Sequence, residues 1–376
     1  MINDINDVQK LELFVLTAHS HNGLDWTHSL LDAHNEILIM PAYSFFRTLD
    51  KFNIDILNQS IEKTVNMLMS VLKYAPGYKL QRRRFIFSKY QEKKFKKTLL
   101  FFLKNTKEKN IYKKLFYGIH YAFSEVHKIK LKKKKILVAH EHVTWHCDKY
   151  YQLFNPRFIF VIRDLRASFA GGMKSFQNSS LNKKMKALQF DRMLANFFSG
   201  KKFMQKIAKV NNKEKVYFVI NEKMNFNLNL NTKNLSKWLG IKFNKSLLKK
   251  TIMGKKWLGE SAYLSIGRKT SDLSKPEPKD YYQINNVRDR WKKNLSLKEK
   301  NIFEALFYND LKLFNYKILY NKNTFQRLKN YCSALFYCLG QDKYYLNKYI
   351  IILRNLVRRV VLFINPKLAI KFFKIN

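Results

Sequence analysis

Short apolar runs, each ending in a polar turn, punctuate the first two thirds of the chain. Leu13-Phe14-Val15-Leu16-Thr17-Ala18 is the first, followed by His19-Ser20-His21-Asn22-Gly23-Leu24-Asp25 and then by Trp26 to His34. Strand, tight polar turn and helix in that order aim backbone N–H groups and a positive helix end at an anion. Phe158-Ile159-Phe160-Val161-Ile162 repeats the strand and runs straight into Arg163-Asp164-Leu165-Arg166. Two buried strands of a parallel sheet thus end in a glycine turn and an arginine pair, and such ends are where open α/β sheets bind ligands. Ile136 to Ala139 and Val216 to Ile220 read as further strands, and Ile37 to Pro41 as a short strand or an exit loop.

Between these runs the spacing turns helical. From Phe45 to about Lys130, Ile54, Leu57, Ile61, Val65, Leu68 and Val71 recur at three and four residues, until Pro76-Gly77 breaks the pattern. Gln81 to Arg84 and Lys94 to Lys97 fall on a solvated face or line a substrate cleft. Leu188, Phe190, Met193, Leu194, Phe197 and Phe198 mark a core-facing helix within Asn178 to Ala208. Asn231-Thr232 is expected to cap a helix that Gly240 closes, and Lys255 to Pro278 reads as a long loop. Beyond residue 320, Tyr349 to Leu353 and Val360 to Ile364, separated by Arg354, Arg358 and Arg359, form a basic amphipathic tail. It either lies on an anionic membrane surface or, as is the commoner fate, packs back on its own domain.

Composition widens the choice of partner more than it narrows it. The 376 residues carry 72 Lys and Arg against 27 Asp and Glu, a formal charge of +45. Such a charge concentrates anionic ligands and favours anionic polymers or membranes, yet AT-rich codon usage also yields a chain crowded with Lys, Asn, Ile, Phe and Tyr. The basic residues are spread along the chain rather than set in a reader motif, so no specific nucleic acid is expected. Cys147, Cys332 and Cys338 lack the spacing of a disulfide framework or zinc knuckle, which suggests a reducing compartment. The acidic N-terminus is unlike a signal peptide, and no apolar run reaches roughly 18 residues. The expected location is cytoplasmic, peripheral to the inner face of a membrane if the tail engages it.

Four segments in order resemble the sulfotransferase family, which moves a sulfuryl group from PAPS (3′-phosphoadenosine 5′-phosphosulfate) to a hydroxyl or amine. Leu30-Leu31-Asp32-Ala33-His34-Asn35-Glu36-Ile37 is similar to the end of the family's first helix, with Gly23 in register with its loop glycine. Phe158 to Ser175 resembles the signature that holds the 3′-phosphate, Val216 to Ile220 with Glu222 and Leu235 to Ile241 a later strand and helix, and Arg290 to Ser296 the C-terminal Arg-Trp segment. The resemblance spans about residues 13 to 316. It implies a three-layer P-loop-like α/β fold, a central parallel sheet flanked by helices, over residues 10–318. A helical insertion at 45–130 and a basic helical tail at 319–376 complete the expectation.

The resemblance also assigns roles. Asn22, Gly23, Leu24 and Asp25 would cradle a phosphate of PAPS with their backbone, and Arg163 and Ser168 would hold the second phosphate. Arg268, in Gly267-Arg268-Lys269-Thr270, falls where the family places a basic loop over the 3′-phosphate. His21 stands in place of the loop cation and would stabilise the leaving phosphate, while Glu141 or His142 would take the acceptor proton. His140, Glu141, His142 and His146 look like metal ligands, but the spacing is not a strong zinc signature and a fourth ligand is missing, so no metal is expected. In a plainer reading, His140 and His142 hydrogen-bond neighbouring backbone.

Leu24 and Asp25 replace two hydroxyl residues, Leu165 replaces a proline and Gly171 an expected serine. A carboxylate about 4 Å from a phosphate costs on the order of 4 kcal/mol at a surface-like dielectric unless it is turned away or paired. Asp25 is therefore expected to cap its own helix. The function expected is sulfuryl transfer from PAPS to a hydroxyl of a glycan or small metabolite. The alternative is an inactive relative that binds an anionic glycan or membrane surface.

Overall fold

The computed structural model describes residues 4–19, 21–41, 43–74, 88–177, 186–209, 213–257, 288–321, 323–339 and 348–373. Five strands, β1 Glu12–Ala18, β2 Ile37–Ile39, β3 Ile136–Glu141, β4 Arg157–Ile162 and β5 Val216–Ile220, form a sheet in the order β2-β3-β1-β4-β5. Every pairing in it is parallel. The register sets Thr17 opposite both Glu141 and Phe160, so β1, β3 and β4 end side by side.

Side chains alternate across the sheet, and both faces are covered. Leu13, Val15, Leu137, Ala139, Phe158 and Phe160 join one core cluster. Phe14, Leu16, Ala18, Ile136, Val138, Ile159 and Val161 join the other. Burial on two sides is why these strands read as unbroken apolar runs.

Helix α1, Leu24–Leu31, follows β1 on the second face. The insertion, α2 Phe45–Lys51, α3 Ile61–Tyr74, α4 Lys89–Asn105 and α5 Ile111–Val126, covers the first. The expected unbroken period through Ile54 and Leu57 is interrupted, because Asn53 adopts φ 48° and turns the chain between α2 and α3, leaving Leu57 exposed. A capping box of Ser88 and Gln91 starts α4, whose Phe95, Leu99 and Phe102 pack into the same core as Leu115, Phe116 and Ile119 of α5. Residues 81–84 lie outside the described residues.

Helix α6, Cys147–Phe154, leaves β3 toward the first face. Then come α7 Leu165–Gln177, α8 Lys186–Lys209, α9 Asn221–Phe226 and α10 Leu228–Leu239. Helix α10 is capped by Asn227, which accepts the Leu230 N–H, rather than by Asn231-Thr232. Gly240 closes it at φ 70°, as its place in the sequence suggested. The predicted loop lies mostly in residues 258–287, outside the described set.

The C-terminal helices are α11 Arg290–Asn294, α12 Leu297–Leu306, α13 Tyr308–Leu313, α14 Thr324–Phe336, α15 Lys348–Ile364 and α16 Pro366–Phe373. Phe169, Phe190 and Phe197 of α7 and α8 pack with Trp291, Phe303 and Phe307 in a third cluster. The basic tail returns to its own chain. Arg358 and Arg359 of α15 both grip Asp191 of α8, Arg358 through Nε at 2.7 Å and Arg359 through Nε at 2.8 Å, with all three side chains almost fully buried. Arg359 also donates to the carbonyls of Ala334, Leu335 and Tyr337. The opposite face of α15 keeps Leu353, Val357 and Ile364 exposed. No helix among the described residues is long and apolar enough to cross a membrane.

Candidate functional site

β1 and β3 are neighbours, but the chain leaves β1 toward one face through α1 and β3 toward the other through α6. Connections that part in this way open a crevice at the carboxyl edge of the sheet. The turn after β1 is tightly built. His21 takes φ 60° and Gly23 φ 90°, and a Cβ on Gly23 would lie 2.8 Å from Asn221 Nδ2. Glycine is thus required here by both backbone conformation and space. Buried Asn22 donates from Nδ2 to the Val161 carbonyl at 3.3 Å and accepts from the Ser168 hydroxyl, fastening the turn to β4 and α7. The α1 ladder starts at Thr27, whose N–H reaches the Gly23 carbonyl at 2.9 Å, so the amides of Leu24, Asp25 and Trp26 open the helix ahead of its own bonds.

Arg163 comes to this turn from the end of β4 and donates through Nη1 to the His21 carbonyl at 3.4 Å. The glycine turn and the guanidinium, distant in sequence, therefore share one side of the sheet edge. Arg166 does not join them. It pairs with Asp164 at 2.8 Å and Glu304 at 2.5 Å and lies 4.3 Å over the Trp291 ring, as a buried structural strut. Glu222 accepts the Asp164 N–H at 3.0 Å and the Tyr316 hydroxyl at 2.7 Å, and its burial raises its pKa.

Several assigned roles shift. Burial, reinforced by the Arg163 guanidinium and against the pull of Asp25, lowers the His21 pKa to about 4. His21 therefore carries little positive charge near pH 7 in the donor-free chain. The Ser168 hydroxyl is fully buried on Asn22, which makes it a support of the turn rather than an open phosphate donor. Arg268 lies outside the described residues.

The N-cap position of α1 is Gly23, and Asp25 follows in the first turn. Its carboxylate turns to the end of β3, with Oδ1 3.5 Å from His140 Nε2 and 3.9 Å from His142 Nε2. The two rings meet each other at 3.1 Å between their Nε2 atoms, not the backbone as the plainer reading had it. Residues two apart at a strand share a face, which accounts for the encounter. Behind them His28 of α1 places Nδ1 3.0 Å from His140 Nδ1. Burial, and then the His142 ring, hold His140 well below the ordinary histidine pKa, and burial likewise lowers His28.

Glu141 sits between the two histidines in sequence and so points to the other face. Its carboxylate is 0% exposed, accepting the Val143 N–H at 3.2 Å and lying 3.4 Å from His146 Nδ1. His146 bonds Asp50 at 2.8 Å with its other nitrogen. Strand parity thus takes Glu141 and His146 out of the group around Asp25. Sequence reasoning missed His28 and Asn221. An Asp25-His28 pair three apart on one helix was the available signal for the first, and for the second there was none.

No family model matches the chain, and no curated protein matches it in sequence. Among solved structures it is similar to the sulfotransferase domain of an olefin synthase from Synechococcus PCC 7002, with 13% identity, 82% of this chain and 95% of that one covered, and a TM-score of 0.42. It is also similar to a sulfotransferase from Mycobacterium avium, with 9% identity, 83% and 80% covered, and a TM-score of 0.41. Both are sulfotransferases.

Proposed function

We propose that the chain transfers a sulfuryl group from PAPS to a hydroxyl of a glycan or small metabolite, with residues 10–318 as the working domain. The observation that carries this reading is the meeting of Arg163 with the Gly23 turn. Anion-binding amides at the start of α1 and a fixed guanidinium fork then face the two ends of one nucleotide. Because the Asp25 carboxylate is turned toward the end of β3, the main-chain path to a phosphate stays open. Sulfuryl transfer asks the protein mainly to position the donor and to stabilise charge on the leaving oxygen. Asn22 and Ser168 keep the turn in shape for that task. Of the two residues assigned to take the acceptor proton, His142 has the reachable edge, with 27% of its side chain exposed against 0% for Glu141.

Calorimetry with PAP (3′-phosphoadenosine 5′-phosphate), the desulfonated product, tests the donor site before an acceptor is known. Micromolar binding that disappears in Arg163→Ala supports it. No binding by the folded wild-type chain removes it.

One observation favours the alternative, an inactive relative at an anionic surface. The exposed apolar residues Leu353, Val357 and Ile364 lie on a chain of formal charge +45. Sedimentation with phosphatidylserine vesicles, lost in Leu353→Glu/Val357→Glu, together with no binding of PAP, would support this alternative.

A further inference from the structure

We propose that Asp25, His140 and His142 form a binding site for a zinc-class divalent cation at the carboxyl end of β3. The three candidate ligand atoms, Asp25 Oδ1, His140 Nε2 and His142 Nε2, stand 3.1, 3.5 and 3.9 Å apart. A point in their plane equidistant from all three lies about 2.0 Å from each, which is the length of Zn–N and Zn–O bonds. They are the one group of three or more such ligand atoms found within 4.8 Å of one another among the described residues.

The shell behind the ligands fits the same purpose. A metal-bound imidazole offers one nitrogen to the ion and donates the N–H of the other to a partner that holds the ring in place. His140 has that partner in His28, whose Nδ1 lies 3.0 Å from His140 Nδ1. With His140 Nδ1–H donating to His28, the lone pair of His140 Nε2 faces Asp25 and His142. His28 is 1% exposed and reaches the strand from α1, so it acts as a positioning residue. Two imidazoles and one carboxylate suit a borderline ion such as Zn²⁺ better than Mg²⁺ or Ca²⁺, which prefer oxygen ligands. Three protein ligands with solvent at the edge of His142 leave a coordination position open, as catalytic zinc sites do and structural ones do not.

This site differs from the histidine trio suggested by the sequence. His146 is drawn to Asp50 and Glu141 across the sheet, and Asp25 arrives from α1 in its place. The proposal does not need the donor reading, since zinc is titrated without nucleotide. It does change one role. With its lone pair on a metal, His142 is a ligand rather than a base.

The test is calorimetric titration of ZnCl₂ into the chelator-stripped full chain, with Co²⁺ visible absorption as a second readout of the donor set. The expected result is one site per chain of micromolar or tighter affinity, and visible Co²⁺ absorption of the intensity that tetrahedral rather than octahedral coordination gives. Asp25→Asn and His142→Ala each weaken binding at least tenfold, and His28→Phe weakens it about 10- to 100-fold, the range for second-shell partners. His127→Gln, outside the group, leaves it unchanged. Circular dichroism of each variant shows that it is folded, and His142→Ala, at a partly exposed position, is the variant best placed to remain so. Absence of saturable zinc binding by the wild-type chain overturns the proposal. So does binding that survives both Asp25→Asn and His142→Ala.

Discussion

Replacing Gly23 by alanine strikes the turn at its least tolerant point. Gly23 sits at φ 90° and ψ 27°, and an L-residue in this left-handed region costs about 1–2 kcal/mol. The added Cβ would also lie 2.8 Å from Asn221 Nδ2 and 3.0 Å from its Cγ, so Asn221 must move. That side chain is held, because its Oδ1 accepts from Asn225 Nδ2 at 2.8 Å, and losing such a bond costs about 1 kcal/mol. Gly23→Ala should therefore destabilise the fold by about 2–3 kcal/mol in urea unfolding followed by circular dichroism. Asn221→Ala in the same background removes the clash but not the backbone strain, so the double variant should be about 1 kcal/mol more stable than the sum of the two single effects. A Gly23→Ala chain within about 0.5 kcal/mol of wild type would refute the steric account, as would strict additivity of the two changes.

Three further outcomes are expected. Asp191→Ala leaves the guanidinium groups of Arg358 and Arg359 buried and unpaired, and should cost about 3–5 kcal/mol, read as a fall in the urea midpoint. His19 and His120, whose pKa values burial lowers to about 4, stay neutral in the fold while the unfolded chain takes up protons below about pH 6.5. Stability should accordingly fall as pH drops from 6.5 toward 4, by about 1.4 kcal/mol per pH unit for each histidine, and His120→Gln should flatten the slope by one such step. The opposite sign holds for His146: burial lowers its pKa, but Glu141 and Asp50 outweigh that and raise it. Its contribution is full below about pH 6.5 and is lost as pH rises through the raised value, so Asp50→Asn should matter more at pH 6 than at pH 9 in thermal unfolding.

The sheet was legible because β1, β3 and β4 are buried on both sides and so carry unbroken apolar runs, whereas the edge strand β5 leaves Phe218 exposed. The Gly23 turn was legible because glycine among polar residues between strand and helix has few other uses. What the spacing of residues could not show was which face a side chain takes once the chain turns. His140, Glu141, His142 and His146 look like one group in sequence, yet parity sends Glu141 across the sheet and the turn after β3 carries His146 after it. Asp25, the residue that completes the histidine pair, lies on another element more than a hundred positions upstream. That the tail packs back on its own domain was the commoner of the two fates its sequence allowed, and its ion pairs agree. Which acid Arg358 and Arg359 enclose was hidden, because Asp191 is in a helix whose own spacing showed only its apolar side.

Asp191 and Arg359 are 168 residues apart, and the pair joins the middle of the chain to nearly its last helix. On a ribosome adding about 5–20 residues per second, α8 waits roughly ten to thirty seconds for the cations that neutralise its buried acid. Until then the carboxylate of Asp191 lacks its cations, although Phe190 and Phe197 beside it can already pack on Phe303, Phe307 and Tyr337. A chain cut short before α15 would leave that carboxylate without its two cations, the costly half of a broken buried ion pair.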